Sequence, residues 1–143
     1  SNAEKKQLIA MVRHYEETQT LDYKDNLAQH RFWYKAGEQG IDTILLGLAD
    51  YLATYDNMLD QDAWLIQIER ALMMLFAFHE QYETVVNPPL LLNGNDLMSK
   101  LDLVGGPLIG DLLTVIREGQ VTGEITTQED AITVAKQYIA DKA

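Results

Sequence analysis

Residues 41–55 read Ile41-Asp42-Thr43-Ile44-Leu45-Leu46-Gly47-Leu48-Ala49-Asp50-Tyr51-Leu52-Ala53-Thr54-Tyr55. Ile41, Ile44, Leu45, Leu48, Leu52 and Tyr55 recur at i, i+3, i+4, i+7 and i+11, the spacing of one face of an α-helix. Working outward, Leu8, Ile9, Val12 and Tyr15 form a similar stripe over residues 4–19. Asp22 offers an N-cap for a second helix that runs to about Lys35 and closes at Gly37. Downstream, Asp60 or Asp62 caps a long helix from about Ala63 to Val85. Its apolar residues cover so much of the circumference that burial between neighbours is expected. The pair Pro88-Pro89 stops it, because the residue before a proline is pushed out of the α region.

Beyond the prolines the character changes. Asn93-Gly94-Asn95-Asp96 is a turn that opens a short helix over Asp96–Leu101. Gly105-Gly106-Pro107 punctuates the chain again, and Pro107 suits the first turn of a helix carrying Leu108, Ile109, Leu112, Leu113 and Ile116 to about Gly119. Thr126 with Glu129, or Thr127 with Asp130, makes a capping box for a last helix through Tyr138. No alternating run is long enough to propose a sheet. The expected fold is therefore all-α: a helical bundle followed by a helix-turn-helix-like three-helix arm. The expected divisions are a tag remnant at 1–3 (Ser1-Asn2-Ala3), a bundle at 4–86 and an arm at 87–143.

Composition restricts the chemistry. With 143 residues and 47% apolar content, the chain has the material for a sizeable core. There is no cysteine, which excludes disulfides, thiolate metal sites and a cysteine nucleophile. Charges interrupt every apolar stretch before the roughly 18–20 residues of a membrane span, so the expectation is a cytoplasmic protein with no membrane partner. The net charge is −11, spread as −3 over residues 1–56, −4 over 57–89 and −4 over 90–143. No segment is a basic arm, so any nucleic-acid contact has to be local.

Catalytic patterns are absent: there is no glycine-rich phosphate loop, no H-E-x-x-H and no nucleophile elbow. The acidic stretch Asp56–Asp62 lacks the glycine and the bidentate glutamate of a calcium loop and reads as a solvated cap. His79 aligns with Ile68, Leu72 and Leu75 and reads as a hydrogen-bonded core histidine. His14 sits near a helix C-terminus, where a cation suits the dipole. The run His30-Arg31-Phe32-Trp33-Tyr34-Lys35 mixes rings with cations. On a helix Phe32 and part of Trp33 or Tyr34 face the core, while Lys24, Arg31 and Lys35 form an outer basic stripe, so core packing and nucleic-acid contact both remain open.

The stretch Leu101–Gly110 is the other candidate. A short helix, a glycine turn at Gly105 and Gly106 and a second helix with Gly110 in its first turn leave backbone N–H groups at a helix N-terminus. That arrangement can take a phosphate without basic side chains, with Lys100 beside it. The competing reading is a tight helix corner in which Gly106 and Gly110 permit close approach.

Three segments together resemble one family. Pro88 to Met98 resembles the "P-hydrophobic-G-x-D-L" opening of the C-terminal arm of bacterial CCA-adding tRNA nucleotidyltransferases and their poly(A) polymerase relatives. Gly106-Pro107-Leu108-Ile109-Gly110-Asp111-Leu112-Leu113 is similar to their G-P-x-I-G-x-L-L helix, and Gly123 to Ala131 to their G-E-I-x-T-x-E-E-A close. Upstream, Val12-Arg13-His14-Tyr15 and Leu48-Ala49-Asp50-Tyr51-Leu52 resemble the second half of an HD domain, whose last aspartate ligates metal. The His-Asp doublet of such a site is not in this sequence, so no metal ligand is assigned.

The resemblance implies a non-catalytic C-terminal piece that binds or positions RNA, most directly tRNA, for 3′-end nucleotide addition. Magnesium and a nucleoside triphosphate would belong to a nucleotidyltransferase head outside this sequence, with no cofactor in the chain itself. The RNA-contacting residues would be Lys100, Gly105, Gly106 and Gly110, supplemented by Lys24, Arg31 and Lys35. Partners would be RNA, the nucleotidyltransferase head and a second copy in a homodimer. Two alternatives stay open: a protein–protein or dimerisation module without RNA contact, and a remnant metal phosphohydrolase in which Asp50 is the last ligand.

Overall fold

The computed structural model describes residues 1–142, which form seven α-helices and, among the described residues, no strand. Four helices, α1 (Asn2–Thr20), α2 (Asn26–Ala36), α3 (Gly40–Tyr55) and α4 (Gln61–Glu80), build a first unit that ends at Asn87. A π-helical turn, Tyr82–Val86, belongs to it. The second unit begins at Pro88 and contains α5 (Gly94–Leu101), α6 (Pro107–Thr122) and α7 (Gln128–Lys142). No helix among the described residues is long and apolar enough to cross a membrane.

Side-chain caps set the helix starts. Asp25, not Asp22, caps α2: its Oδ1 accepts the Leu27 N–H at 2.9 Å. Asp22 instead accepts the Lys24 N–H at 3.0 Å, which bends the chain one step earlier. Asp60 caps α4 through the Ala63 N–H at 2.8 Å. Asn93 and Asp96 cap reciprocally at α5, and Thr127 and Asp130 do the same at α7. Helix α6 runs past Gly119 to Thr122. Gly119 is not a terminator: it is buried, and a Cβ there would lie 2.6 Å from Ile125 Cδ1. The stop is Gly123, whose φ of 82° is a left-handed conformation suited to glycine.

Phe32 and Trp33 of α2 anchor the first unit's core with Leu21, Ile44, Met74 and Val86. Helices α1 and α3 approach closely at Gly47, where a Cβ would clash with Thr18 Oγ1 and sit 3.0 Å from the Tyr15 carbonyl oxygen. Leu92, Leu97, Leu112, Ile116 and Ile125 pack the core of the second unit against Ala131 and Ala135.

Three further expectations about the first unit need correction. The long helix ends at Glu80 rather than Val85, because the chain passes into the π-helical turn. Burial of α4 on several sides does not occur: Ala71, Met74 and Ala77 are its buried residues, while Leu65 and Leu72 are 63% and 60% exposed. His79 follows that exposed side and is not a core histidine. The buried histidine is His30, whose Nδ1–H donates to the carbonyl oxygens of Val85 at 2.9 Å and Val86 at 3.1 Å. It thereby ties α2 to the π-helical turn.

Candidate nucleic-acid interface

The glycine turn of the second unit is built by an unusual helix ending. Asp102 closes α5 in a left-handed conformation (φ 53°), and the Leu103 N–H reaches back to the Met98 carbonyl at 3.0 Å. Val104, Gly105, Gly106 and Pro107 are then exposed, Val104 at 89%. No side chain caps the N-terminus of α6, and Gly106 there is in extended backbone. The first N–H groups of an α-helix have no intrahelical acceptor, so this end carries partial positive charge.

The glycines do not serve close packing at two of the three positions. A Cβ on Gly106 or Gly110 would meet nothing within 4 Å, and both residues are exposed. Gly105 is different, since its Cβ would touch Met98 Sδ at 3.5 Å, an ordinary contact. This argues against a corner that needs Gly106 and Gly110 to let helices approach.

Nearby charge is partly balanced. Lys100 is exposed in the last turn of α5. Asp111, within the first turns of α6, is held by Lys142, whose Nζ donates to its Oδ2 at 2.8 Å. That hydrogen bond to Asp111 raises Lys142 well above the ordinary lysine range. At the start of α7, N–H and hydroxyl groups of Thr126 and Thr127 converge on Asp130. The backbone bond from Thr126 leads in lowering its carboxyl to about 2.

The cations of the first unit are less uniform than the expected stripe. Arg31 and Lys35 are exposed one turn apart on α2, but Lys24 lies in the preceding turn, outside the helix. Lys24 Nζ sits 5.8 Å over the Tyr23 ring. Lys35 is engaged by Glu17, with Nζ 2.7 and 3.0 Å from the two carboxylate oxygens, so its charge is largely answered within the protein. Of the neighbouring aromatics, Phe32 and Trp33 are buried and Tyr34 is exposed. The turn residues Lys100, Gly105, Gly106 and Gly110 thus fall in one unit, and Lys24, Arg31 and Lys35 in the other.

Among the described residues no group of three or more His, Asp or Glu side chains could hold an ion. Asp50 Oδ2 accepts a hydrogen bond from Gln19 Nε2 at 3.0 Å, and its negative charge raises the Tyr15 phenol above its ordinary value. His14 pairs with Glu17 at 3.7 Å. Sequence reasoning missed the exposure of Val104, because an apolar residue after Leu103 reads as core. The only signal was its position directly before Gly105-Gly106.

Comparison with known proteins adds an independent finding. The family model for tRNA nucleotidyltransferase domain 2 matches residues 1–135. The chain is 31% identical over 110 residues to the A-adding tRNA nucleotidyltransferase of Deinococcus radiodurans, covering 75% of this chain and 24% of that protein. It is 30% identical over 112 residues to the CC-adding tRNA nucleotidyltransferase of Thermus thermophilus, covering 76% and 23%. A CCA-adding enzyme of Streptococcus agalactiae is 31% identical over 103 residues, covering 64% and 24%. The chain therefore spans about a quarter of the length of the curated relatives it matches. No solved structure matches it significantly.

Proposed function

The chain belongs to the tRNA nucleotidyltransferase domain 2 family, and from that premise we propose that it is a non-catalytic, RNA-positioning part of a tRNA nucleotidyltransferase or poly(A) polymerase-like protein. It holds the backbone of an RNA, most directly a tRNA, while 3′-end addition takes place on a catalytic head outside this stretch. Magnesium and the nucleoside triphosphate belong to that head. The observation that carries the reading is the uncapped N-terminus of α6 behind Gly106 and Gly110, two exposed glycines with open space where a side chain would stand. Backbone N–H groups and the helix dipole favour a phosphate at such an end, and glycine lets it come close. Lys100 adds a flexible cation beside the turn.

The test is a Gly106→Leu, Gly110→Leu double variant. It should keep its helical spectrum, because neither side chain meets the protein, and should lose roughly tenfold or more in tRNA affinity. A folded double variant that binds tRNA like the parent removes this site from the account.

A second reading has its own support. Of sixteen large apolar residues exposed among the described ones, fourteen lie in the first unit, Leu8, Val12, Leu65 and Leu72 among them. Patches of this kind mark surfaces that another protein covers. A chain that dimerises through this unit and ignores RNA would be a protein–protein module.

A further inference from the structure

A cleft of about 360 Å3 opens within the first unit, in the size range of small-molecule sites. Trp33 and Tyr34 from the end of α2, Glu38 from the turn after it, Phe78 from α4, and Tyr82 and Asn87 around the π-helical turn line it.

Backbone features on two sides of this cleft are costly ones. Gly37 has φ +56° although a Cβ there would meet nothing, so glycine is needed for the conformation and not for space. The π-helical turn is a rare form that concentrates at functional sites, and the His30 bonds to Val85 and Val86 hold it in place.

The walls are aromatic. Trp33 and Phe78 lie 4.8 Å apart by ring centroids, and Phe78 meets Tyr82 edge-on at 5.6 Å. Tyr34 and Tyr82 are both exposed at the cleft. An aromatic lining of this kind suits a flat, conjugated ligand. The polar groups are equally specific. Glu38 and Asn87 are exposed and bring a carboxylate and a carboxamide to the cleft. A ligand that suits this set is planar and offers N–H donors to Glu38. It carries no anionic group into the cleft, because residues 1–89 hold twice as many acidic as basic side chains.

We infer that the cleft receives a single unpaired nucleobase bearing an exocyclic amino group, with the phosphates left outside. This rests on the RNA-positioning reading for the source of the base, and on the cleft alone for its chemistry. Glu38 accepts the amino N–H, as carboxylates do with the cytosine 4-amino group. Tyr34 and Tyr82 stack on the ring. Uracil is disfavoured, because it turns a carbonyl oxygen toward the carboxylate where cytosine turns an amino group.

Cytidine and uridine are the probes, since they differ at that position and neither carries phosphate. The readout is the indole N–H resonance of Trp33 in 15N-labelled protein, assigned by its persistence in Trp64→Phe, which removes the other indole. Cytidine titrated into the millimolar range should move the Trp33 resonance at about tenfold lower concentration than uridine. Glu38→Gln, an exposed position whose change leaves the fold intact, should erase most of that preference. A Trp33 resonance that ignores cytidine, or follows uridine equally, overturns the inference. The same samples are tested for tRNA binding. Binding of tRNA with a silent Trp33 sinks the cleft and leaves the RNA-positioning reading standing. Cytidine-selective movement without tRNA binding upholds the cleft and removes tRNA as the source of its base.

Discussion

Gly47→Ala tests how the first unit is assembled. Glycine to alanine in a helix interior ordinarily stabilises by about 0.5–1 kcal/mol, and position 47 is well inside α3. Here the new Cβ would collide with Thr18 Oγ1 and stand 3.0 Å from the Tyr15 carbonyl oxygen. Thr18 cannot swing away freely, because its hydroxyl donates to that same carbonyl at 2.6 Å. Moving it costs the hydrogen bond, about 0.5–1.5 kcal/mol, and forcing α1 from α3 adds roughly 1–3 kcal/mol of overpacking. The net expectation is a destabilisation of about 1–3 kcal/mol. Urea unfolding followed by tryptophan fluorescence is the assay, because Trp33 and Trp64 both lie in this unit. Adding Thr18→Ala removes the obstructing oxygen, so the double variant should recover about 1 kcal/mol relative to the sum of the single changes. A Gly47→Ala variant as stable as the parent, or a cycle with no coupling, would refute the close α1–α3 crossing.

Other consequences follow from single contacts. His30→Phe leaves the Val85 and Val86 carbonyls without their donor and should cost about 1–3 kcal/mol, with faster amide exchange confined to the π-helical turn and its neighbours. Asp130 is held at about 2 against an ordinary 3.8, so its contribution is complete above that ordinary value and is lost as pH falls through about 2. Asp130→Asn should accordingly be less stable than the parent at neutral pH, and acid melts of the two should converge toward pH 2. Gly110→Ala, with nothing near its Cβ, should raise thermal stability by roughly 0.5–1 kcal/mol; a loss would mean that α6 is packed more tightly there than described.

The all-α fold was legible because helix caps and stops are written in local residues. Asp60, Asn93, Pro107 and the Thr127–Asp130 pair each act where the sequence places them. The family was legible for a related reason: three short motifs in order restrict the choice more than any one of them. What escaped was the partition between covered and open faces. The stripe Leu8, Ile9 and Val12 has the period of a buried face, yet all three residues are exposed. Periodicity reports that one side of a helix is apolar; whether another element lies against it is a long-range fact. His79 was misread on the same ground. The start of α2 escaped because Asp22 and Asp25 are chemically equivalent caps, and only the turn at Lys24 decides between them. The aromatic cleft escaped because its walls come from residues 33–38 and 78–87, which no local pattern connects.

The central claim, that an acidic chain grips RNA through backbone groups at one helix end, is tested most directly by tRNA binding at two salt concentrations. Fluorescence anisotropy at about 50 and 200 mM salt should give an affinity that falls roughly ten- to fortyfold, the loss for two or three neutralised phosphates. The Gly106→Leu, Gly110→Leu variant should lose most of that binding. No binding at the lower salt, or binding that both salt and the double substitution leave unchanged, would contradict the account and leave the apolar first unit as the functional surface.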